Sequence, residues 1–398
     1  MSEKKDSNAT KDVFITDLTI HKVRHLKDIH IPLSKTERKH LILTGKNGSG
    51  KTSVLESLKD SVWERCKGGG GVLQPSDRRD GGWEVVQKDE KSKKLSIRFN
   101  YLKKIEEYYE AGNFIATFYG AERLAMMKAP KGVEKINLRD KYDYKHESPG
   151  KEFIQYIVNL KAEKSFARDD QDHETVNNIE NWFEMFENSL KKIFEDSSLR
   201  LEFDRNNYNF IIHQKGKELF DFNTLADGYS AIINVLTDLI LRMEKHKTKS
   251  YDVQGVVLID ELETHLHIDL QKMVFPFLTG FFPRVQFIVT THSPFILNSI
   301  ENSVIYDLEK NLLVEDLSGY SYNGIIDGYF GNDEYSEIIK GKIEMYEDLV
   351  NKEKRTEAEE DWMIELRRYL KNIPGSLSPQ LKVKFQQIEL KRMKKNND

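Results

Sequence analysis

His40-Leu41-Ile42-Leu43-Thr44-Gly45-Lys46-Asn47-Gly48-Ser49-Gly50-Lys51-Thr52-Ser53-Val54-Leu55 is the stretch on which the reading of this chain turns. HLILT (40–44) is a short apolar run that suits a buried strand, and Gly45–Thr52 fits G-x-x-x-x-G-K-[ST]. TSVLESLKDSVWERC (52–66) then repeats apolar residues at helical spacing. Strand, glycine loop and helix are the context such a loop needs. Glycines let successive backbone N–H groups curl round phosphates with no Cβ in the way. Lys51 would reach the β- and γ-phosphates, Thr52 would hold Mg²⁺, and the helix would point its positive end at the anion. The expected nucleotide-binding residues are Gly45, Lys46, Asn47, Gly48, Ser49, Gly50, Lys51, Thr52 and Ser53, with ATP and Mg²⁺ as ligands.

Three further segments fit around that loop. Gly255-Val256-Val257-Leu258-Ile259-Asp260-Glu261 is a continuously apolar strand ending in two acids, which places carboxylates at the carboxyl edge of a parallel sheet. There Asp260 would hold Mg²⁺ through water, and Glu261 would polarise an attacking water. Val289-Thr290-Thr291-His292-Ser293 ends a second buried strand, where His292 can act in catalysis by sensing a γ-phosphate or helping to position the attacking water, or simply be a satisfied strand-end histidine. Leu225-Ala226-Asp227-Gly228-Tyr229-Ser230 opens an apolar helix. Its N–H groups suit an anion, and Asp227 equally suits an ordinary N-cap.

Composition bounds the remaining choices. The single cysteine, Cys66, excludes an internal disulfide framework and any multi-cysteine metal site. A formal charge of −4 excludes a chain that coats nucleic acid by bulk charge, although a local basic patch stays open. The start, MSEKKDSNATKD, lacks the apolar core of a signal peptide, and no stretch approaches the roughly 18 apolar residues a membrane span needs. A cytoplasmic protein is expected. Residues 1–12 read as a disordered tail and 13–318 as one α/β domain, followed by charged amphipathic helices over 319–398. Within 13–318, a first lobe covers about 13–150, a helical insertion about 151–196, and a second lobe about 197–318. The C-terminal stripes Ile343, Tyr346, Leu349, Val350 and Trp362, Leu366, Tyr369, Leu370 must bury against their own core or a partner. A Thr356…Glu359 capping box opens the second of those helices.

Taken in this order, the pieces GKNGSGKT, LADGYS, VVLIDELETHLH and FIVTTHSP resemble the ABC-type ATPase heads of the structural-maintenance-of-chromosomes/Rad50 superfamily. Within it, the chain is most similar to the short AAA/OLD-like ATPases of bacterial anti-phage systems, in particular the PtuA ATPase subunits of Septu systems. The resemblance spans roughly residues 13–310. It implies an α/β head with a mixed sheet, flanking helices and two lobes, and ATP hydrolysis at sites shared between two copies. In such a dimer one copy's Walker A and B motifs grip the nucleotide and the other's signature loop closes on it. Here Ala226, Asp227, Gly228 and Tyr229 stand where the family has its signature, with Ala226 in place of a serine and Asp227 in place of a glycine. That puts fast hydrolysis in doubt. A Q-loop glutamine is not evident, Gln87 and the FYGAERL segment being weak candidates.

Only 172 residues separate Thr52 from Thr224, too few for long coiled-coil arms, and about 100 follow His292, little room for a fused TOPRIM nuclease. The expectation is an oligomeric ATPase scaffold or sensor with no nuclease of its own. It would control a separately encoded nuclease, of HNH type by the Septu resemblance or TOPRIM type by resemblance to PARIS systems. The alternative is a Rad50-like repair ATPase that binds DNA through Lys67, Arg78, Arg79, Lys91, Lys93 and Lys94. His265 and His267 suggest a metal pair or, more simply, neighbours of the dimer loop.

Overall fold

The computed structural model describes residues 12–68, 71–75, 83–87, 94–139, 142, 148–244, 251–314, 317–319, 325, 337–352, 354–371 and 379–395. A hairpin comes first, β1 (Ile15–Val23) with β2 (Leu26–Pro32), turning through Arg24 at a left-handed φ of 54°. Next are β3 (His40–Thr44), α1 (Lys51–Cys66), the ribbon β4 (Gly71–Pro75) with β5 (Trp83–Gln87), then β6 (Leu95–Phe99), α2 (Leu102–Glu110) and β7 (Phe114–Tyr119). Two helices follow, α3 (Phe153–Asp169) and α4 (His173–Ile193), then a meander of β8 (Arg200–Asp204), β9 (Asn209–His213) and β10 (Phe220–Asp221). The unit closes with α5 (Asp227–Glu244), β11 (Gln254–Ile259), α6 (Ile268–Phe281), β12 (Val285–Thr290), α7 (Pro294–Leu297), β13 (Ser303–Asp307) and β14 (Leu312–Val314).

The central sheet has the order β14-β13-β3-β12-β11-β7. All its neighbours run parallel except β14, which pairs antiparallel with β13 at the edge. Strands β3, β11, β12 and β13 are buried along their whole length, so both faces are covered, and apolar residues predominate between polar residues near the strand ends. On one face α1 buries Val54, Leu55, Leu58, Val62 and Cys66 in a core shared with the antiparallel sheet β2-β1-β6. Each such side chain contributes about 1.5–3 kcal/mol. Two buried amides stitch that second sheet to the first. Gln254 Oε1 accepts from Val13 N–H at 2.7 Å, while Gln286 accepts from Ile15 N–H at 2.7 Å and donates to Ile15 O at 3.0 Å. The arrangement is the α/β class expected, a mixed sheet with flanking helices, and no long coiled coil occurs among the described residues.

Several boundaries differ from the sequence reading for identifiable reasons. The helical stretch 151–196 is two helices, because Gln171 turns left-handed (φ 60°) and Asp172 caps the second by accepting from Thr175 N–H at 3.0 Å. Helix α6 starts only at Ile268, beyond His265, which is itself left-handed (φ 66°). In α5, Ser230 N–H bonds back to Ala226 O at 2.9 Å, so Asp227 lies within the first turn instead of capping it.

The chain divides by internal contacts into Met1–Gly319 and Tyr320–Asp398. In the second unit, α8 (Glu337–Asn351), α9 (Glu357–Lys371) and α10 (Pro379–Lys395) share a core of Ile343, Tyr346, Leu349, Val350, Met363, Leu366, Leu370 and Ile388. The first predicted stripe is therefore buried. In the second, Leu366 and Leu370 are buried while Trp362 and Tyr369 face solvent, 47% and 42% exposed. The Thr356–Glu359 capping box is formed, Thr356 N–H donating to Glu359 at 3.0 Å and Glu359 N–H to Thr356 Oγ1 at 3.4 Å.

Candidate nucleotide site

The chain leaves β3, β11 and β12 at the same edge of the sheet, and the predicted motifs occupy those three exits. Gly45, Gly48 and Gly50 take φ values of 131°, 84° and 97°, which residues with a side chain rarely adopt. A Cβ on Gly45 would lie 2.9 Å from Ser49 Oγ and 3.2 Å from Glu309 N, so the loop closes only with glycine there. Helix α1 begins at Lys51 with no side chain capping it, leaving its first N–H groups turned into the loop. Lys51 Nζ folds back onto Gly45 O (2.9 Å) and Lys46 O (3.1 Å). Lys46 is held from outside by Glu309, through its N–H at 3.2 Å and its ammonium at 3.0 Å.

At the end of β11, Asp260 is buried and accepts from Thr290 Oγ1 at 2.6 Å, while the same hydroxyl accepts from Glu261 N–H at 2.7 Å. Glu261 is left-handed (φ 45°), a conformation worth about 1–3 kcal/mol of strain, and its carboxylate accepts from Thr264 Oγ1 at 3.1 Å. Glu263, not singled out from sequence, accepts a short hydrogen bond from His292 N–H. The Thr290 hydroxyl thus joins Asp260 to Glu261, and Glu263 is tied to the His292 backbone. Burial lowers the affinity of the Lys51 ammonium for its proton, against the pull of Glu263, Glu261, Asp260 and Asp307. His292 is shifted down as well, first by burial and then by the Lys51 charge, which favours the neutral ring.

The unpaired atoms mark where a ligand fits. Thr44 Oγ1, Ser49 Oγ, Glu263 Oε2 and His292 Nε2 are buried without hydrogen-bond partners. With the uncapped start of α1 and the cradle at Gly45, the residues present fit a polyphosphate and its cation. Among the described residues no cluster of three or more His, Cys, Asp or Glu could hold a metal by itself. A Mg²⁺ ion, which takes one or two protein ligands and completes its shell with phosphate and water, suits Thr52 and Asp260 better than a protein-only cage would.

The predicted signature lies elsewhere. Ala226 and Asp227 are exposed at the start of α5, and among the described residues no hydrogen bond joins them to Gly45–Thr52. Gly228 packs so tightly on the loop after β11 that a Cβ would come within 2.6 Å of His265 O. Tyr229 stacks on Phe194 at 4.3 Å and meets the His267 ring edge-on at 6.2 Å. The side chain of Gln87 and the basic candidates Arg78, Arg79, Lys91 and Lys93 lie outside the described residues, while Lys67 sits over the Trp63 ring. The segment after β7 carries a residue the sequence reading passed over, Arg123, whose guanidinium is buried against the carbonyls of Asp260, Glu261 and Leu262.

The family model described as "AAA domain, putative AbiEii toxin, Type IV TA system" matches residues 41–298, which takes in all of these motifs. The chain belongs to this AAA family. Among curated relatives of this AAA protein, "Septu protein PtuA" of Bacillus mycoides (strain KBAB4) is 24% identical over 313 residues, covering 76% of this chain and 41% of that protein. A "Septu protein PtuA" of Bacillus thuringiensis is 29% identical over 185 residues, 41% of this chain and 46% of the relative. "Retron Ec83 probable ATPase" of Escherichia coli is 32% identical over 115 residues, 28% of this chain and 19% of that protein. The chain spans less than half the length of these relatives. Among solved structures, an SMC head domain from Thermotoga maritima aligns with a TM-score of 0.37 at 15% identity, over 74% of this chain and 94% of that one. No helix among the described residues is long and apolar enough to cross a membrane.

Proposed function

We propose that this chain binds Mg²⁺-ATP at Gly45–Ser53, hydrolyses it to ADP and phosphate, and serves as the ATPase subunit of a cytoplasmic anti-phage defence complex. The observation that carries the hydrolysis reading is the glycine loop with Lys51 at the uncapped start of α1, on the same sheet edge as Asp260 and Glu261, which the Thr290 hydroxyl joins. The amides of the glycine loop and the first turn of α1 would take the phosphates. Lys51 would exchange the carbonyls of Gly45 and Lys46 for phosphate oxygens, and Thr52 and Asp260 would hold the cation. Mg²⁺ bound there supplies positive charge that offsets the charge developing on the transferred phosphoryl group. Glu261, its carboxylate steadied by Thr264, polarises the attacking water and accepts its proton. Neutral His292 offers Nε2, otherwise unpaired, as a hydrogen-bonding group for the γ-phosphate or that water.

With Ala226 and Asp227 exposed at the start of α5, in this reading Ala226–Tyr229 complete the site of a second copy, and the working unit is a homodimer or a larger assembly. The similarity to Septu and retron ATPases supports a defence role, and the Septu likeness favours a separately encoded HNH nuclease as the controlled partner. Two experiments test these levels separately. Lys51→Ala should weaken Mg²⁺-ATP binding at least about 100-fold, since charge-assisted hydrogen bonds are worth about 1.5–3 kcal/mol each. Unchanged affinity would remove the site. Co-expression with the product of the neighbouring gene should give a stable complex, and a chain that purifies alone in every nucleotide state would remove the partner reading.

A further inference from the structure

Arg123 lies on the irregular segment that leaves β7, 137 residues before Asp260 in the chain, yet its contacts concentrate on the turn after β11. Nη1 donates to Asp260 O at 2.7 Å and Gly120 O at 3.0 Å, and Nη2 donates to Glu261 O and Leu262 O, both at 2.9 Å. The side chain is buried, 5% exposed, beside Val235 of α5, Leu262 and Leu266 of the turn, and Leu278 of α6. Among the described residues no carboxylate is hydrogen-bonded to it. A guanidinium held in a dry place by backbone carbonyls alone is a device for fixing the backbone, because its planar fork sets several acceptors in one geometry. Those acceptors are the carbonyls of the residues that carry or flank the left-handed Glu261.

The same segment is tied on its other side to α5. Tyr119 O accepts from Asp260 N–H at 2.8 Å, and the Tyr119 hydroxyl donates to Asp238 at 2.7 Å, where Arg242 also donates at 2.7 Å. Ala125 N–H donates to Ser230 Oγ at 2.8 Å, in the first turn of α5, and Met127 N–H to Asn223 at 3.0 Å. Residues 119–127 therefore bridge the Glu261 turn and the signature helix, with Arg123 at the centre of the bridge.

We propose that Arg123 is a positioning residue for ATP hydrolysis, holding the turn of Asp260–Leu262 so that Glu261 addresses the attacking water. The proposal rests on the hydrolysis reading above. Lysine keeps the charge but places it at a single point, so Arg123→Lys lacks the planar fork that spans the carbonyls of Asp260, Glu261 and Leu262. A misplacement of about 1 Å in a reacting group costs on the order of 100-fold in rate.

The test compares parent, Arg123→Lys and Arg123→Gln in steady-state ATPase assays, with amide hydrogen exchange followed over residues 260–266. Both variants should keep KM for Mg²⁺-ATP within about 3-fold of the parent while kcat falls about 100-fold. Exchange in the turn should rise about 10-fold or more with α1 unaffected. A kcat within about 3-fold of the parent overturns the proposal. So does a loss in which KM rises in step and exchange quickens throughout the first unit, since that marks a structural role only. If the parent itself turns over no ATP, the hydrolysis reading fails on its own account. Arg123 is then judged by exchange in Arg123→Lys alone, where an unchanged turn overturns its positioning role.

Discussion

At the residue scale, titrating groups separate structure from chemistry. His40 starts β3, and its Nδ1 accepts from Phe287 N–H at 3.0 Å between the rings of Phe275 and Phe287. Burial pulls it down to about 3, and the nearby Arg38 charge acts in the same direction. The unfolded chain therefore takes up a proton near pH 6.5 that the folded chain refuses, and stability falls as pH drops from there towards 3. The slope from this one group is at most about 1.4 kcal/mol per pH unit. Denaturant melts between pH 7 and 4.5 should show it, and His40→Asn, whose Oδ1 can replace the acceptor, should flatten it. An identical slope in the variant would assign the loss to other groups. His292 is different: it is half-buried in the site, and its downward shift bears on phosphate contact more than on folding.

Elements were legible wherever pattern and burial agree. The strands β3, β11 and β12 are continuous apolar runs, each ending in a motif, and such runs can be read without partners. Arg123 was illegible because its partners are backbone carbonyls, which leave no mark in a sequence. Glu263 had a faint signal, two residues past Glu261, but its bond to His292 N–H spans 29 residues. The point where α3 gives way to α4 leaves little mark in the sequence, since left-handed Gln171 has no glycine to announce it. Two predictions belong here. Gly228→Ala places a methyl group against His265 O and should cost about 1–3 kcal/mol by overpacking, read as a lower melting temperature; an unchanged value would mean the α5 start shifts freely. Thr356→Ala removes the cap of α9 and should cost about 1 kcal/mol in the second unit, seen as faster amide exchange in that helix. Unchanged exchange there would mean the cap adds nothing.

For the whole molecule, the first unit holds all the nucleotide motifs, and the described residues of the second form three helices with a core of their own. If two copies share sites, dimerisation should depend on nucleotide. Under Mg²⁺-ATP, Glu261→Gln should sediment as a dimer or larger species. Adding Asp227→Arg, at the exposed start of α5, should leave it monomeric with nucleotide still bound. Equal association of the double variant would place the contact elsewhere.

The central claim is that Glu261, held in its left-handed turn, activates water at a nucleotide bound by Gly45–Ser53. Single-turnover hydrolysis of Mg²⁺-ATP by Glu261→Gln tests it most directly. ATP affinity should stay within a few-fold of the parent while the rate falls about 10²- to 10⁴-fold, leaving ATP trapped on the protein. Hydrolysis by Glu261→Gln at the parent's rate would contradict it.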